Sequence, residues 1–483
     1  MANLIILTNV DGMVWQRSMG GYQVANHCRS NNISCQVIDF TDMFSNKDLY
    51  QIVKKFIDNE TLAIGISTSF YRKRNKINYI DTDVNQLLNN DPIEENILFL
   101  FNKIKYEYPK IKIIAGGANS YLVKDNIVFD AVFHGYSEQS VVDYLIGLKS
   151  SKKKIYDKIK GVNNIEGSSG HFDITGLKHH WSVQDCILPN ETLPIEISRG
   201  CIFKCKFCSY PLNGKKKFDY LRDPEHIKEE LIKNYETFGT TNYFFTDDTF
   251  NDSTFKLERL YKVFSTLSFK IKFVTYLRLD LIHAHKEQIQ LLKEMGLGSA
   301  FFGIETLNHS SAKIIGKGMN SEFVKEFLVD LHDTDWKKEI PFTCSFIIGL
   351  PGESKESIMR SWDWIKNQPF QDLWFPLRIS KGTYYQSEFD INFKDFGYEI
   401  DENGFWYNGS MNYVEAKELA EEFNNFGFYG KKPPSTWFLF CLLSHGYTIE
   451  QVKEIPNRDL PWKKFLLQKH RMFKKYHNLL KEL

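Results

Sequence analysis

The residues with the strongest chemical potential are three cysteines, Cys201, Cys205 and Cys208, in SRGCIFKCKFCSYP (198–211), a C-x3-C-x2-C run. A structural zinc site wants four ligands, usually as two CxxC pairs some distance apart. This run offers three, no second C-x2-C pair exists, and the next cysteine, Cys344, lies far downstream. Catalytic zinc with three cysteines would be an unusual set. A [4Fe–4S] cluster held by three thiolates is different, because one iron then stays open to a substrate or cofactor.

Four further segments follow in chain order: FFTDDTF (244–250), YLRLD (276–280), FFGIETLN (301–308) and SFIIGLPGES (345–354). Each alone is a weak signal, since a DD pair commonly caps a helix and GLPGE reads as a plain turn. Their placement adds weight, because each ends a predicted strand. TLPIEIS, NYFFTD, KIKFVTY, GSAFFGIE, PFTCSFIIG and DLWFPLRI read as six strands between 191 and 390, with stretches of helical periodicity between them. Six β/α units fit a partial barrel better than a second open sheet, and in either the functional positions are the strands' C-terminal ends. The cysteine run directly follows the first of these strands. Gly200 lets the chain turn closely there, and Phe207 shields the run from water.

Residues 1–150 alternate apolar strands (LIIL, SCQVI, LAIGIS, KIIAGG, DAVFHG) with helices, which implies a parallel sheet covered on both faces. That is a doubly wound, Rossmann-like domain whose ligand site lies beyond the strand ends, at VDGM, STS, GGANS and HGYSE. Residues 151–190, polar and Gly/Ser-rich, read as a linker, and 391–483 as a mostly helical, aromatic-rich C-terminal region. The last stretch, WKKFLLQKHRMFKKYHNLLKEL, has apolar residues on one side and lysines on the rest. It reads as a packed amphipathic helix rather than a nucleic-acid-binding one.

Composition bounds the rest. Of 483 residues, 42% are hydrophobic and 25% charged, with a net charge of +1. That is a soluble globular composition without a global field for nucleic acid or anionic lipid. The N-terminus, MANLIILTNVDG, reads as a buried strand rather than a signal peptide, and no run is long enough to span a membrane. A cytoplasmic location is expected, where scattered Cys28, Cys35, Cys186, Cys344 and Cys441 are small buried hydrophobes.

The C-x3-C-x2-C run with an aromatic before its last cysteine resembles the radical S-adenosylmethionine (SAM) superfamily. The resemblance implies a [4Fe–4S] cluster on Cys201, Cys205 and Cys208, reductive cleavage of SAM at the open iron, and hydrogen abstraction from substrate by the resulting 5′-deoxyadenosyl radical. It further implies that Asp247 or Asp248 receives the amino group of SAM, that Arg278 pairs with its carboxylate, and that Glu305 lies near its ribose or methionyl part. SFIIGLPGES would pack near adenine, with Phe207 also beside the SAM site.

A doubly wound domain before such a barrel resembles the cobalamin-binding arrangement of B12-dependent radical SAM enzymes. The matching positions are Gly116, Gly117, Gly135 and Glu138, with Arg17, Gly20 and Gly21 facing the corrin from the loop after the first strand. The D-x-H-x-x-G signature of a lower histidine ligand is absent; His27 reads as a helix-flank residue and Trp15 as a packed loop aromatic. The implied activity is cobalamin-dependent methyl transfer on a small-molecule or biosynthetic-intermediate substrate, with an electron donor such as flavodoxin or ferredoxin. The alternatives are a cobalamin-independent radical SAM enzyme and, remotely, a metal-bearing nucleic-acid-binding protein. The aromatics Trp374, Tyr384, Tyr385, Trp406, Tyr407 and Trp437 suit either a planar ligand or a small aromatic core.

Overall fold

The computed structural model describes residues 1–10, 15–69, 95–150, 155–167, 174–210, 220–379, 386–429, 436–447, 451 and 462–483. Two compact units emerge.

The first unit comprises Met1–Phe172, Lys178–Pro189 and Leu466–Leu483. Its strands are β1 (Leu4–Leu7), β2 (Cys35–Ile38), β3 (Ala63–Ser67), β4 (Lys112–Gly116), β5 (Ala131–His134), β6 (Asp157–Ile159) and β7 (Val162–Glu166). They lie in the order β2-β1-β3-β4-β5-β7-β6, all parallel except the β6–β7 hairpin. Every residue of β1, β2, β3 and β5 is buried, as helices on both faces require. The chain reverses direction about β1, so the switch point lies beside the C-terminal ends of β1 and β3.

Two departures from expectation fall here. The segment expected as linker contains a hairpin that extends the sheet. Lys160 (φ 47°) and Gly161 (φ 90°) form its two-residue loop, and Val162 and Ile165 anchor it. β6 is fully exposed, so no apolar alternation announced it. The helix Trp462–Glu482, expected within a C-terminal region spanning 391–483, has its residues from 466 onward in the first unit. Met472, Phe473, Tyr476 and Leu480 enter that unit's core, and the Tyr476 hydroxyl accepts the Asp39 N–H at 2.8 Å. The helix is thus packed through its apolar side.

The second unit comprises Asp173–Leu177 and Asn190–Phe465. β8 (Leu193–Ile195), β9 (Asn242–Phe245), β10 (Lys272–Leu277), β11 (Leu297–Glu305), β12 (Phe342–Ile348) and β13 (Gln371–Pro376) pair in sequential order, all parallel, with β8 and β13 as edges. This is the expected partial (β/α)6 barrel. The outer face packs aromatics against helices, with Phe245 stacked on Phe273 at 4.3 Å and Phe302 on Trp336 at 6.0 Å. The inner face carries Phe244, Tyr276 and Phe301, edge to face at 6.0 and 5.1 Å. Near the strand starts, Thr436 opens the helix Thr436–Ser444 and bonds Thr343 Oγ1 and the Ala300 carbonyl, each at 2.6 Å. Asp223 caps the helix Pro224–Phe238 and Gly296 (φ 101°) ends Glu287–Met295, both as the sequence predicts. Among the described residues, no helix is long and apolar enough to cross a membrane.

Candidate functional site

The cysteine run leaves β8 on a held chain. Arg199 N–H donates to the Tyr220 carbonyl at 2.8 Å and Arg222 N–H to that of Ile197 at 2.9 Å, while Gly200 adopts φ 139°, which favours glycine. Cys201 is buried, with its Sγ 3.6 Å from Thr249 Oγ1; Cys205 and Cys208 are half-buried, the Cys208 N–H turning back to the Cys205 carbonyl at 3.0 Å. Between them, Lys206 is gripped from two sides. Its N–H donates to the Ile315 carbonyl (3.2 Å) and its carbonyl accepts from Phe389 N–H (3.1 Å). Phe207 is half-buried within the same turn. Among the described residues, no three Cys, His, Asp or Glu side chains converge closely enough for a single metal ion.

Adjacent aspartates take opposite roles. Asp247, at the end of β9, is buried; it accepts the Ile197 N–H at 3.2 Å and the Ser198 hydroxyl, and pairs with Lys256 Nζ at 3.2 Å. Lys256 also meets Asp252 at 3.3 Å, and the Tyr220 hydroxyl donates to Asp252 at 2.9 Å. Burial would lower the Lys256 pKa, but Asp252 and Asp247 outweigh it and hold it above the ordinary lysine value. This buried network lies under the strand end from which the cysteine loop departs. Asp248 instead is solvent-accessible, yet walled by protein. Scarce solvation, and then the Asp247 charge, push its pKa up to about 7. Tyr276, on the inner face of β10, responds in turn: burial and the Asp248 charge push its hydroxyl up to about 12.

Arg278 follows β10. Its guanidinium grips Asp280 with two hydrogen bonds (3.0 and 2.6 Å), lies 3.9 Å from the Phe203 ring centroid, and points Nη1 at Cys205 Sγ, 3.4 Å away. Burial works against ionisation of Asp280, but Arg278 and then Lys317 hold its pKa below the ordinary value. Glu305 ends β11 in a left-handed conformation (φ 68°), rare for a residue with a side chain. Its Oε1 meets Lys317 Nζ at 3.2 Å, and the same ammonium donates to the Gly303 carbonyl. Reading the sequence missed Lys317; the only local signal was the IIGKG stretch after FFGIETLN.

The GLPGE segment turns through Gly349 (φ 97°) and Gly352 (φ 80°). A Cβ on Gly349 would sit 2.3 Å from the Trp406 ring, and the Tyr398 hydroxyl donates to the Gly349 carbonyl at 2.6 Å. Burial pushes Glu353 up to about 8, although the Thr306 hydroxyl donates to it at 2.5 Å. Trp374 stacks on Phe346 at 4.4 Å, so Trp374 and Trp406 are packing residues. Tyr384, Tyr385 and the side chain of Trp437 lie outside the described residues.

The first unit answers differently. Arg17, expected to face a corrin, is buried: Nη1 donates to Tyr22 Oη and the Asp185 carbonyl (both 2.8 Å) and Nη2 to the Cys186 carbonyl (2.9 Å), with the guanidinium against the Phe40 and Tyr476 rings, which touch each other edge to face. Burial pushes the nearby Asp39 up to about 6 even with Arg17 opposing. Trp15 is packed, stacked on Phe40 at 3.8 Å, and His27 flanks the helix Met19–Ser30, 3.0 Å from Gln139 Oε1. Gly20 is exposed and open around its Cα, whereas a Cβ on Gly21 would touch Ile6 and Thr8 at 3.5 Å. Gly116 has ordinary surroundings. Gly117 (φ 100°) is required by packing, since a Cβ would lie 2.7 Å from Ser69 Oγ. Gly135 (φ 73°) turns the chain after β5, and Glu138 is buried in the first turn of the helix Glu138–Lys149. At the switch point, three buried polar atoms have no hydrogen-bond partner: Thr8 Oγ1, Asn9 Oδ1 and Gln16 Oε1. Asp11 to Val14 of that loop lie outside the described residues.

Comparison with known proteins bears on the family and the fold. Residues 195–365 match the Radical SAM superfamily. An uncharacterized methyltransferase of Pyrococcus horikoshii is 29% identical over 162 residues, 33% of this chain and 34% of that protein's length. The chain thus aligns with about a third of that relative. Among solved structures, the radical SAM methyltransferase TsrM from Kitasatospora setae, with cobalamin and a [4Fe–4S] cluster bound, superposes with a TM-score of 0.64 at 13% identity, over 98% of this chain and 99% of that one. The cobalamin-dependent radical SAM enzyme OxsB, with aqua-cobalamin and SAM bound, gives 0.59 at 15% identity, over 99% and 72%. The chain thus carries a radical SAM domain at residues 195–365, within a fold similar to those of TsrM and OxsB.

Proposed function

We propose that this radical SAM enzyme binds a [4Fe–4S] cluster through Cys201, Cys205 and Cys208 and transfers a methyl group with the help of cobalamin. The observation that carries the reading is the convergence at the strand ends: three thiols after β8, a guanidinium 3.4 Å from one of them, and Asp248 and Glu305 at the ends of β9 and β11. The donor set, three thiols without a second CxxC pair, suits a [4Fe–4S] cluster that leaves one iron open to SAM. When bound, the cluster supplies the electron that cleaves SAM, and cobalamin supplies a methyl carrier.

This chain's residues bind, orient and shield. Asp248, rather than Asp247, is the partner for the SAM ammonium, since Asp247 is engaged by Ile197, Ser198 and Lys256. Arg278 brings positive charge to Cys205 and to a SAM carboxylate. Glu305 presents its carboxylate toward the ribose side, and Phe207 screens the loop from water. For cobalamin, the fit rests on Thr8 Oγ1, Asn9 Oδ1 and Gln16 Oε1, buried polar atoms awaiting a partner at the crevice where doubly wound sheets take ligands. The substrate would be a small molecule or biosynthetic intermediate, and the electron would come from a donor such as flavodoxin or ferredoxin.

Anaerobic reconstitution with iron and sulfide, followed by SAM, hydroxocobalamin and a chemical reductant, tests this. The expected result is cluster absorbance, 5′-deoxyadenosine, and hydroxocobalamin retained through gel filtration. Absence of 5′-deoxyadenosine would overturn the radical reading; loss of cobalamin alone would leave a cobalamin-independent radical SAM enzyme.

A further inference from the structure

We propose that Lys317 is a positioning residue, part of a strut (Ile315–Lys317) that fixes the cysteine loop and the Glu305 strand end relative to each other. The inference rests on the function proposed above and extends it to residues outside the motifs.

The strut touches both sides. At one end, the Ile315 carbonyl accepts the Lys206 N–H at 3.2 Å, in the middle of the cysteine run. Gly316, at φ 85°, passes so close that a Cβ would lie 3.8 Å from Cys205 Cα and 3.7 Å from the Lys204 carbonyl. At the other end, Lys317 Nζ holds the Gly303 carbonyl and Glu305 Oε1. Its own N–H is fixed to the Ala312 carbonyl at 2.7 Å, so the ammonium hangs from a rigid turn. The lysine side chain is 14% exposed and the glutamate 10%.

Two observations make this more than an ordinary ion pair. Glu305 is held at φ 68°, a conformation that persists in a non-glycine residue only when its surroundings impose it. Gly303 leaves room for this pair: a Cβ there would lie 2.4 Å from Glu305 Oε1 and 3.2 Å from Lys317 Nζ, the ends of two side chains that would have to shift. The charges also alternate from the sulfur outward. Arg278 reaches Cys205, Asp280 grips Arg278, Lys317 acts on Asp280, and Glu305 pairs with Lys317. Removing Lys317 would leave the Glu305 carboxylate without its cation, while Asp280 keeps its pair with Arg278. The strut therefore sets how far the Glu305 carboxylate stands from the cysteine loop, and with it whether one SAM molecule reaches both.

The test compares wild type with Lys317→Met, Lys317→Arg and Gly303→Ala, each as the full chain. In cofactor-free protein, hydrogen exchange should quicken at residues 201–208 and 303–306 in Lys317→Met and at 303–306 in Gly303→Ala, with β12 unchanged; Lys317→Arg should stay close to wild type. After reconstitution, Lys317→Met should bind SAM at least tenfold more weakly at unchanged iron content, with Lys317→Arg largely restoring affinity. Unchanged exchange in Lys317→Met, SAM affinity within twofold of wild type, or faster exchange throughout β12 would each overturn the proposal, the last by showing a purely structural lysine. Should wild type itself fail to bind SAM, the proposed function falls, while the exchange data on cofactor-free protein still decide the strut.

Discussion

The two units share one construction, parallel strands with helices between, yet they spend their charged residues in opposite ways. In the second unit the strand ends hold ionisable groups: Asp248 follows β9, Arg278 stands beside the cysteine loop, and Glu305 is held in a rare conformation. In the first unit Arg17 is turned inward, against two aromatic rings and onto the carbonyls of Asp185 and Cys186. Its crevice instead presents neutral groups without partners, Thr8, Asn9 and Gln16. A zwitterionic ligand demands fixed charges, whereas a large ligand rich in amides is met by neutral donors and acceptors. The contrast teaches that one architecture can present charged or neutral groups at its strand ends, which is what the two ligands of the proposed function would require.

The sharpest way to break the comparison is through the cysteines. Cys201→Ala or Cys205→Ala should abolish cluster absorbance and reduce bound iron to background after reconstitution, whereas Cys28→Ala and Cys35→Ala, buried in the first unit, should retain it. Iron retained in Cys205→Ala would remove the second unit's claim. Next come the buried cations. Lys256→Met strips the shared partner from Asp247 and Asp252 and should cost about 3–5 kcal/mol, read as a lower melting temperature of the second unit. Arg17→Met should likewise lower the melting temperature of the first unit. If Arg17→Met instead left stability intact and only weakened cobalamin retention, the arginine would be a ligand contact after all.

A smaller effect comes from Asp248. Its folded pKa of about 7 lies above the ordinary 3.8, so the folded chain holds this proton where the unfolded chain has lost it. Asp248 therefore makes stability fall as pH rises from about 4 to about 7. SAM binding should show the reverse, because an ammonium prefers the ionised carboxylate: affinity should rise as pH passes through about 7, and Asp248→Asn should flatten that profile. A profile unchanged in Asp248→Asn would return the role to Asp247. The smallest expected effect is Tyr476→Phe, which removes the acceptor of the Asp39 N–H and should cost about 1 kcal/mol.

How much could be read in advance varied with how local the cause was. All five strands expected in the first domain and all six in the second are present, because apolar runs bounded by turn residues are a local signal. The β6–β7 hairpin escaped notice because β6 is exposed and carries no apolar alternation; its Lys160–Gly161 turn was the sole clue. Asp247 and Asp248 could not be separated in the sequence, since the same residue type stands at both positions and only the neighbours Ser198 and Lys256 distinguish them. Arg17 misled for a related reason: a cation in a glycine-bearing loop looks the same whether it faces a ligand or the interior.

The amino-acid sequence by itself determined which chemistry is within reach: three thiols at set spacing, strand-end acids and a strand-end arginine, and two α/β units to carry them. These follow from residue type and short-range period, which do not depend on distant contacts. The tertiary structure alone decided which of these groups are free to meet a ligand. Partners 49 to 168 residues apart, Ser198 with Asp247 and Arg17 with Asp185, consume some candidates and release others. It also brought in Lys317, whose importance lies entirely in what the fold places beside it. A side chain's chemistry is written locally, but its availability depends on desolvation and pairing, which only the folded chain sets.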